Sequence, residues 1–355
     1  MEVKNWSMTP DGGKMLLYTL RDAESKLQAV VSNFGGVVYA LDVPMEDGTM
    51  RDVVLGHESA EEYFESGTYY GTIVARCANR IGRGQFTLNG TTYNLDKNDG
   101  NNTNHSGRNS LARRLWQTKE AGEDHLVLFY DSPDKDMGFP GAMQIEVAYT
   151  LRNKALIVDY HAVADQDTVF NPTSHSYFNL KGHGNGDVMD HSLVIYADQM
   201  TFANEESLPD GTIREVDGTP FDFRQKRVIG EHNDDDYDML NFAKGYDHNF
   251  VLRKNNEVSD VFSTKECRVT QAATLFAPDD SLVMDVYTDC PGLQIYTGNF
   301  IPDQSTGKNG MKYPCRGGIA LETQFYPNAV NIPEFPQPVI RKGEEYLSRT
   351  VYRFR

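Results

Sequence analysis

The sequence predicts an all-β protein, a sandwich or a barrel, and three observations predict it. Apolar residues recur with period two through most of the chain, turn residues break the runs at short intervals, and helical signal is nearly absent. Strands that follow one another without intervening helices point to a sandwich or barrel rather than a βαβ sheet.

The elements follow in chain order. Residues 28–31 and 37–43 read as strands. Residues 59–64 carry the one helical start, Ser59 with Glu62 three positions on, a capping box too short for more than a turn or two. Phe86 and Leu88 lead into Asn89-Gly90 and then Tyr93 and Leu95, a hairpin with the strongest short turn signal available. A strand is expected at 125–130. Met143, Ile145, Val147, Tyr149 and Leu151 then alternate up to a polar turn at 152–154, and Leu156, Val158, Tyr160 and Ala162 alternate after it, a second hairpin. Further strands are expected at 192–196, 250–252, 268–276, 282–287, 293–297 and 345–354, with Gly, Pro, Asn or Asp between most of them. No repeat or linker-like run divides the 355 residues, so residues 1–355 read as one large β domain.

Composition removes several functions. With 34 Lys plus Arg against 51 Asp plus Glu, the formal charge is −17, which argues against nucleic acid or an anionic membrane as partner. No stretch reaches the ~18 to 20 apolar residues of a transmembrane helix, and the first residues lack a signal-peptide pattern. The chain therefore reads as cytoplasmic, or as a mature secreted or periplasmic form. Cys77, Cys267, Cys290 and Cys315 lie far apart with no Cys-x-x-Cys pair, which fits scattered buried thiols better than a disulfide framework or a zinc site. Gly82-Arg-Gly84 and Gly184-Asn-Gly186 lack the third glycine of a dinucleotide fingerprint, and no Gly-Lys-Ser/Thr phosphate loop exists. The acidic run Asp234, Asp235, Asp236 and Asp238 has Met239 where a calcium loop needs glycine, so it reads as a solvated loop. Neither a metal nor a cofactor is expected.

Five polar islands remain: Arg76 with Asn79-Arg80, the Asn101 to Gly107 loop with His105, Asn171 to Leu180 with His175, Tyr246-Asp247-His248, and Gly318 to Pro327 with Glu322. Taken singly, the arginines suit a surface salt bridge and a loop His is usually solvated. Glu322 ends an apolar strand, Ile319-Ala-Leu321, and is expected to be partly desolvated, which suits a general base or acid; pairing with Arg316 is the alternative. One such Glu, two or three His, one Asp, an Arg-Asn pair and many Tyr, Phe and Trp suit a sugar, whose hydroxyls need polar partners and whose ring faces need aromatic ones.

In order along the chain, these strings resemble the aldose 1-epimerase (galactose mutarotase) family. They are Asn79-Arg80-Ile81 with Gly84-x-Phe86, Asn104-His105-x-Gly107, Asn171 to Leu180, Tyr246-Asp247-His248, Gly292 to Phe300, and Leu321-Glu-Thr-Gln324 with Pro327-x-Ala-x-Asn331. The resemblance covers about residues 30 to 355 and implies a large antiparallel β-sandwich of the mutarotase supersandwich kind. It implies an enzyme that interconverts the α- and β-anomers of free aldohexoses such as galactose and glucose, without cofactor or metal. By position it implies Glu322 as general base and His175 as general acid, with Asn79, Arg80, His105, Asp247 and Gln294 as substrate contacts. Ser106 departs from the small glycine usual there, which implies a slight shift of the His105 loop. A glycoside hydrolase using Glu322 and Asp247, a sugar-binding protein, and an epimerase of phosphorylated hexoses are the rival readings. A monomer and a homodimer stand equally open.

Overall fold

The structure, a computed structural model, describes residues 1–255 and 258–355. Every strand ladder among them is antiparallel. A nine-stranded sheet runs Gln117–Ala121, His125–Ser132, Met143–Arg152, Ala155–Ala164, Glu345–Phe354, Val283–Thr288, Thr270–Phe276, Ser192–Ile195, Arg227–Val228. A six-stranded sheet runs Tyr177–Phe178, Ile319–Gln324, Gly292–Tyr296, Asp247–Leu252, Ala197–Thr201, Ile213–Glu215, and a five-stranded meander is built from Glu2–Met8 through Met50–Asp52. One continuous apolar core joins all three: Val147, Val158 and Tyr352 of the first sheet, Leu293, Ile295 and Leu321 of the second, and Leu20, Val31 and Leu41 of the third. This is the antiparallel sandwich expected, its layers held by the alternation of side chains across each strand.

Both hairpins form, and both turn through two residues of positive φ. Asn153 (56°) and Lys154 (61°) join Met143–Arg152 to Ala155–Ala164, and Asn89 (50°) and Gly90 (77°) join Gln85–Leu88 to Thr91–Asn94. That is the geometry whose twist matches the flanking strands. The helix at Ala60–Glu65 carries both halves of the capping box, Ser59 with Glu62.

Three expectations need correction. A second short helix, Asp238–Ala243, follows the acidic run and buries Met239 and Leu240. Strands Glu2–Met8 and Lys14–Arg21 precede the first one expected. The strand carrying Glu322 continues to Gln324, so the carboxylate sits inside the sheet and not at its end. All four cysteines are free, three of them buried. Among the described residues no helix is long and apolar enough to cross a membrane.

Candidate active site

The site grows from the two faces of the six-stranded sheet. Leu321 and Thr323 face the core, where the Thr323 hydroxyl meets that of Thr350 on the nine-stranded sheet at 2.5 Å. Glu322 and Gln324 therefore face the other way. Register extends that face across the neighbouring strands. Gln294 lies opposite both Glu322 and Asn249, Tyr296 lies opposite Asp247 and Ala320, and Ala320 lies opposite Tyr177. His175, two residues before Tyr177, brings its Nε2 to 3.5 Å from Glu322 Oε1, with both side chains buried.

Loops from the first third of the chain form the facing wall. Arg80 pairs across a short ladder with Asn104. The Asn79 N–H donates to His105 Nδ1 at 3.2 Å while the His105 N–H donates to the Asn79 carbonyl at 3.1 Å, so the two loops clasp each other. Because Nδ1 accepts, the His105 proton sits on Nε2, and the ring is set as a hydrogen-bond donor. Arg80 Nε donates to Asp99 at 2.8 Å, and its Nη1 lies 3.8 Å from Asp247 Oδ2. Tyr69, held at φ 56°, packs its ring 4.8 Å from His105 and 5.9 Å from His175. Phe300, Ile301 and Pro302 form the lip, where the Phe300 N–H donates to the Tyr296 hydroxyl at 2.9 Å. The cleft measures about 530 Å³, within the ~300–1,000 Å³ of small-ligand pockets.

Asn79, Arg80, His105, His175, Asp247 and Glu322 all line this cleft. Gln294 stands one layer behind, donating to Asp247 Oδ1 at 2.7 Å and so fixing that carboxylate. His248 is buried below, and its Nδ1 accepts the Asp247 N–H at 2.9 Å. The expected salt-bridge reading of the arginine pair fails for Arg76. It is fully buried and donates to the carbonyls of Ser132, Pro133, Pro140 and Gly141, bracing the core beneath the cleft loop. Arg316 does not pair with Glu322 but lies 3.6 Å from Asp234. Neither tryptophan reaches the cleft: Trp116 is in the core, and Trp6 packs on Tyr39 and Tyr63. The aromatic lining is Tyr69, Tyr177, Tyr296 and Phe300. Tyr69 was missed; its only signal is a bulky residue between Gly67 and Gly71. Ser106, at φ 66°, accepts from the Cys77 N–H at 2.7 Å and donates to the Cys77 carbonyl at 3.0 Å, so its hydroxyl ties the loop down.

Burial dominates the electrostatics. It pushes the Glu322 carboxyl well above the usual carboxylate range; Asp247 adds to the rise and Arg80 opposes it. Burial pulls His175 down to about 4, against the attraction of Asp247, and pulls His105 well below the ordinary imidazole range. Desolvation disfavours the charged form of each group, so the resting carboxyl and imidazole lean neutral. His105, His175 and Glu322 each bring a ligand-capable atom within 4.8 Å of one another. The occupied Nδ1 lone pair of His105 makes that trio a poorer metal cage than its composition suggests.

A profile of the aldose 1-epimerase family matches residues 16–353. The chain belongs to the aldose 1-epimerase family. It is 38% identical over 344 residues to a protein named galactose mutarotase from Mus musculus, covering 97% of this chain and 95% of that one. It is 34% identical over 354 residues to the aldose 1-epimerase of Escherichia coli (strain K12), covering 98% and 97%. The solved galactose 1-epimerase of Lactobacillus acidophilus NCFM superposes with a TM-score of 0.84 at 26% identity, covering 100% of this chain and 98% of that one. The epimerase family thus accounts for the sandwich, and the enzyme is of the isomerase type that interconverts anomers.

Proposed function

We propose that this enzyme interconverts the α- and β-anomers of free aldohexoses, galactose and glucose first among them, with Glu322 as base and His175 as acid. The observation that carries the assignment is the 3.5 Å separation of His175 Nε2 and Glu322 Oε1 at the buried end of the cleft. In a cyclic hemiacetal the two oxygens that exchange protons share one carbon, so the acid and the base must stand side by side. Glu322 takes the proton of the anomeric hydroxyl while His175 gives one to the ring oxygen. The bond from C1 to the ring oxygen breaks, and C1 becomes an aldehyde. Rotation about C1–C2 presents the other carbonyl face. The ring oxygen then attacks C1, returning its proton to His175, and Glu322 returns the other to the new anomeric oxygen. Protons balance, no electrons change hands, and each positioned group contributes a typical ~10²–10⁴-fold.

Asn79, Arg80, His105 and Asp247 line the cleft in positions to hold the remaining hydroxyls, and Gln294 serves by steadying Asp247. Tyr177 and Tyr296 offer apolar faces to the ring. Among the described residues lining the cleft, Arg80 is the lone Lys or Arg side chain, and it is bound to Asp99; a substrate phosphate would lack a free cation, which favours the unphosphorylated sugar. We read residues 1–355 as one unit, because Ala155–Ala164 and Glu345–Phe354 are adjacent strands of one sheet. Four free thiols suit a reducing, cytoplasmic compartment.

Polarimetry of freshly dissolved α-D-galactose and α-D-glucose tests the reading. Catalysed relaxation to the rotation reached in buffer is expected with at least one of them. No acceleration of either, with release of sugar from an aryl glycoside, would transfer the assignment to a hydrolase; no acceleration with retained binding would transfer it to a sugar-binding protein.

A further inference from the structure

Behind Glu322 lies a polar row whose unbonded ends the reaction just described does not use. On the cleft-facing side of the six-stranded sheet, Gln294 and Asn249 follow Glu322 across two strands, and Gln324 follows it along its own. None of the three lines the cleft. All are buried, Gln324 to 0% exposure. Five atoms of this row have no partner within the protein: Glu322 Oε2, Gln294 Oε1, Asn249 Oδ1, and both Nε2 and Oε1 of Gln324. The other ends of two amides are committed, Gln294 Nε2 to Asp247 and Asn249 Nδ2 to Thr201 at 3.4 Å. Gly292, opposite Gln324, lets the Asn249 amide oxygen lie over its backbone, where a Cβ would collide with it.

The row thus holds three acceptors from other residues and one amide that is both donor and acceptor. Turning the Gln324 amide over only exchanges its own two ends. A buried amide with neither end bonded is strongly disfavoured, and the small species that donates twice and accepts twice is water, which in protein interiors bridges about three polar groups. We propose that Gln324 is a positioning residue for the base: with Asn249 and Gln294 it holds internal water against Glu322 Oε2, fixing the carboxylate with its other oxygen toward the sugar. The inference rests on Glu322 being the base.

The mechanism supplies an independent reason for such a device. Glu322 must be ionised to act, yet burial opposes its charge, and Oε2 receives no hydrogen bond from the protein. Of the groups facing it, His175, His105 and Arg80 stand on the cleft side, Asp247 repels it, and Tyr177 and Tyr352 are phenols pushed up by burial. A donor on Oε2 favours the carboxylate.

The test is Gln324→Leu, similar in size and apolar, followed by pH–rate profiles. One proton shared by His175 and Glu322 defines the active enzyme, and the alkaline limb reports its loss. Without the water, Glu322 holds that proton more tightly. The alkaline limb should therefore move to higher pH, and plateau kcat should fall about tenfold for each unit of that movement, with KM changed less than about twofold. The acid limb should stay. Gln324→Asn, which keeps an amide, should fall between the variant and wild type. Wild-type kcat and limbs in Gln324→Leu, or a fall in kcat without the matching displacement, overturns the inference. Should that variant not fold, a high-resolution crystal structure of the wild type decides: ordered water bonded to both Glu322 Oε2 and the Gln324 amide is expected, and a dry row contradicts it. Glu322→Gln separates the two levels, since full activity there removes the base itself, whereas an inactive Glu322→Gln beside a normal Gln324→Leu removes only the role of the row.

Discussion

Glu322 and His175 are each pushed toward the form in which they cannot begin the reaction, and their proximity resolves the conflict. With one proton between them, the carboxyl–imidazole and carboxylate–imidazolium arrangements differ only by transfer over 3.5 Å, so the reactive arrangement is a fixed fraction of one protonation state. Adding a second proton ends activity, and so does removing the first. The direction of each shift sets the limbs: activity is lost as pH falls through about 4, where His175 charges with Glu322 already neutral, and lost again as pH rises through the elevated value of Glu322. The measured limbs belong to the pair and not to either residue. Turnover measured from pH 3 to 10 should be bell-shaped, and a flat profile contradicts the shared-proton account.

Ser106 makes a second residue-scale case. The family resemblance marks it as a departure that implies a shift of the His105 loop, whereas the structure has its hydroxyl bonded to both backbone groups of Cys77. Ser106→Ala keeps the Cβ and the backbone geometry but strands two buried polar groups. It should lower stability by ~1–3 kcal/mol, read from the urea midpoint; an unchanged midpoint would show the hydroxyl to be idle. The cleft residues were legible because they stand in polar islands that no apolar strand explains. Tyr69 was not, because its place depends on backbone conformation, and Gln324, though it stands in such an island, showed no role, because that role depends on cross-strand register.

At the scale of elements, period two revealed strands wherever one face is covered and the other is not. Glu2–Met8 escaped because its side chains are nearly all exposed, leaving no alternation to read. Lys14–Arg21 escaped for the opposite reason, since the successive residues Leu17 and Tyr18 are both buried. The Ile319–Gln324 strand was seen but ended too soon, because a Glu and a Gln within a wholly buried strand contradict the burial pattern on which the prediction relies. The link from the meander to His175 is a close backbone approach. Gly71, at φ 68°, donates its N–H to the His175 carbonyl at 3.1 Å and accepts the Val38 N–H at 2.9 Å, and a Cβ there would run into the Val38 carbonyl. Gly71→Ala should therefore destabilise the protein by more than ~1 kcal/mol and lower kcat, as His175 is displaced from Glu322. A variant with wild-type melting temperature and turnover would show that the approach has no influence on the acid.

Across the whole molecule, the all-β class and both hairpins followed from local pattern, and the order of strands did not. Neighbours such as Ala155–Ala164 and Glu345–Phe354 are far apart in sequence, and periodicity carries no information about which strand meets which. That long-range order builds the site. It sets residues 79–80 and 104–105 from one end of the chain against residues 247 and 322 from the other, leaving a cleft whose floor is one acid and one base. The central claim is that these two perform the ring opening. It is tested most directly by the polarimetric relaxation of α-D-galactose with Glu322→Gln, alongside sugar binding to the same variant. The account predicts binding within a few-fold of wild type and a loss of ~10²-fold or more in catalysed relaxation. Binding retained with relaxation near the wild-type rate would contradict it.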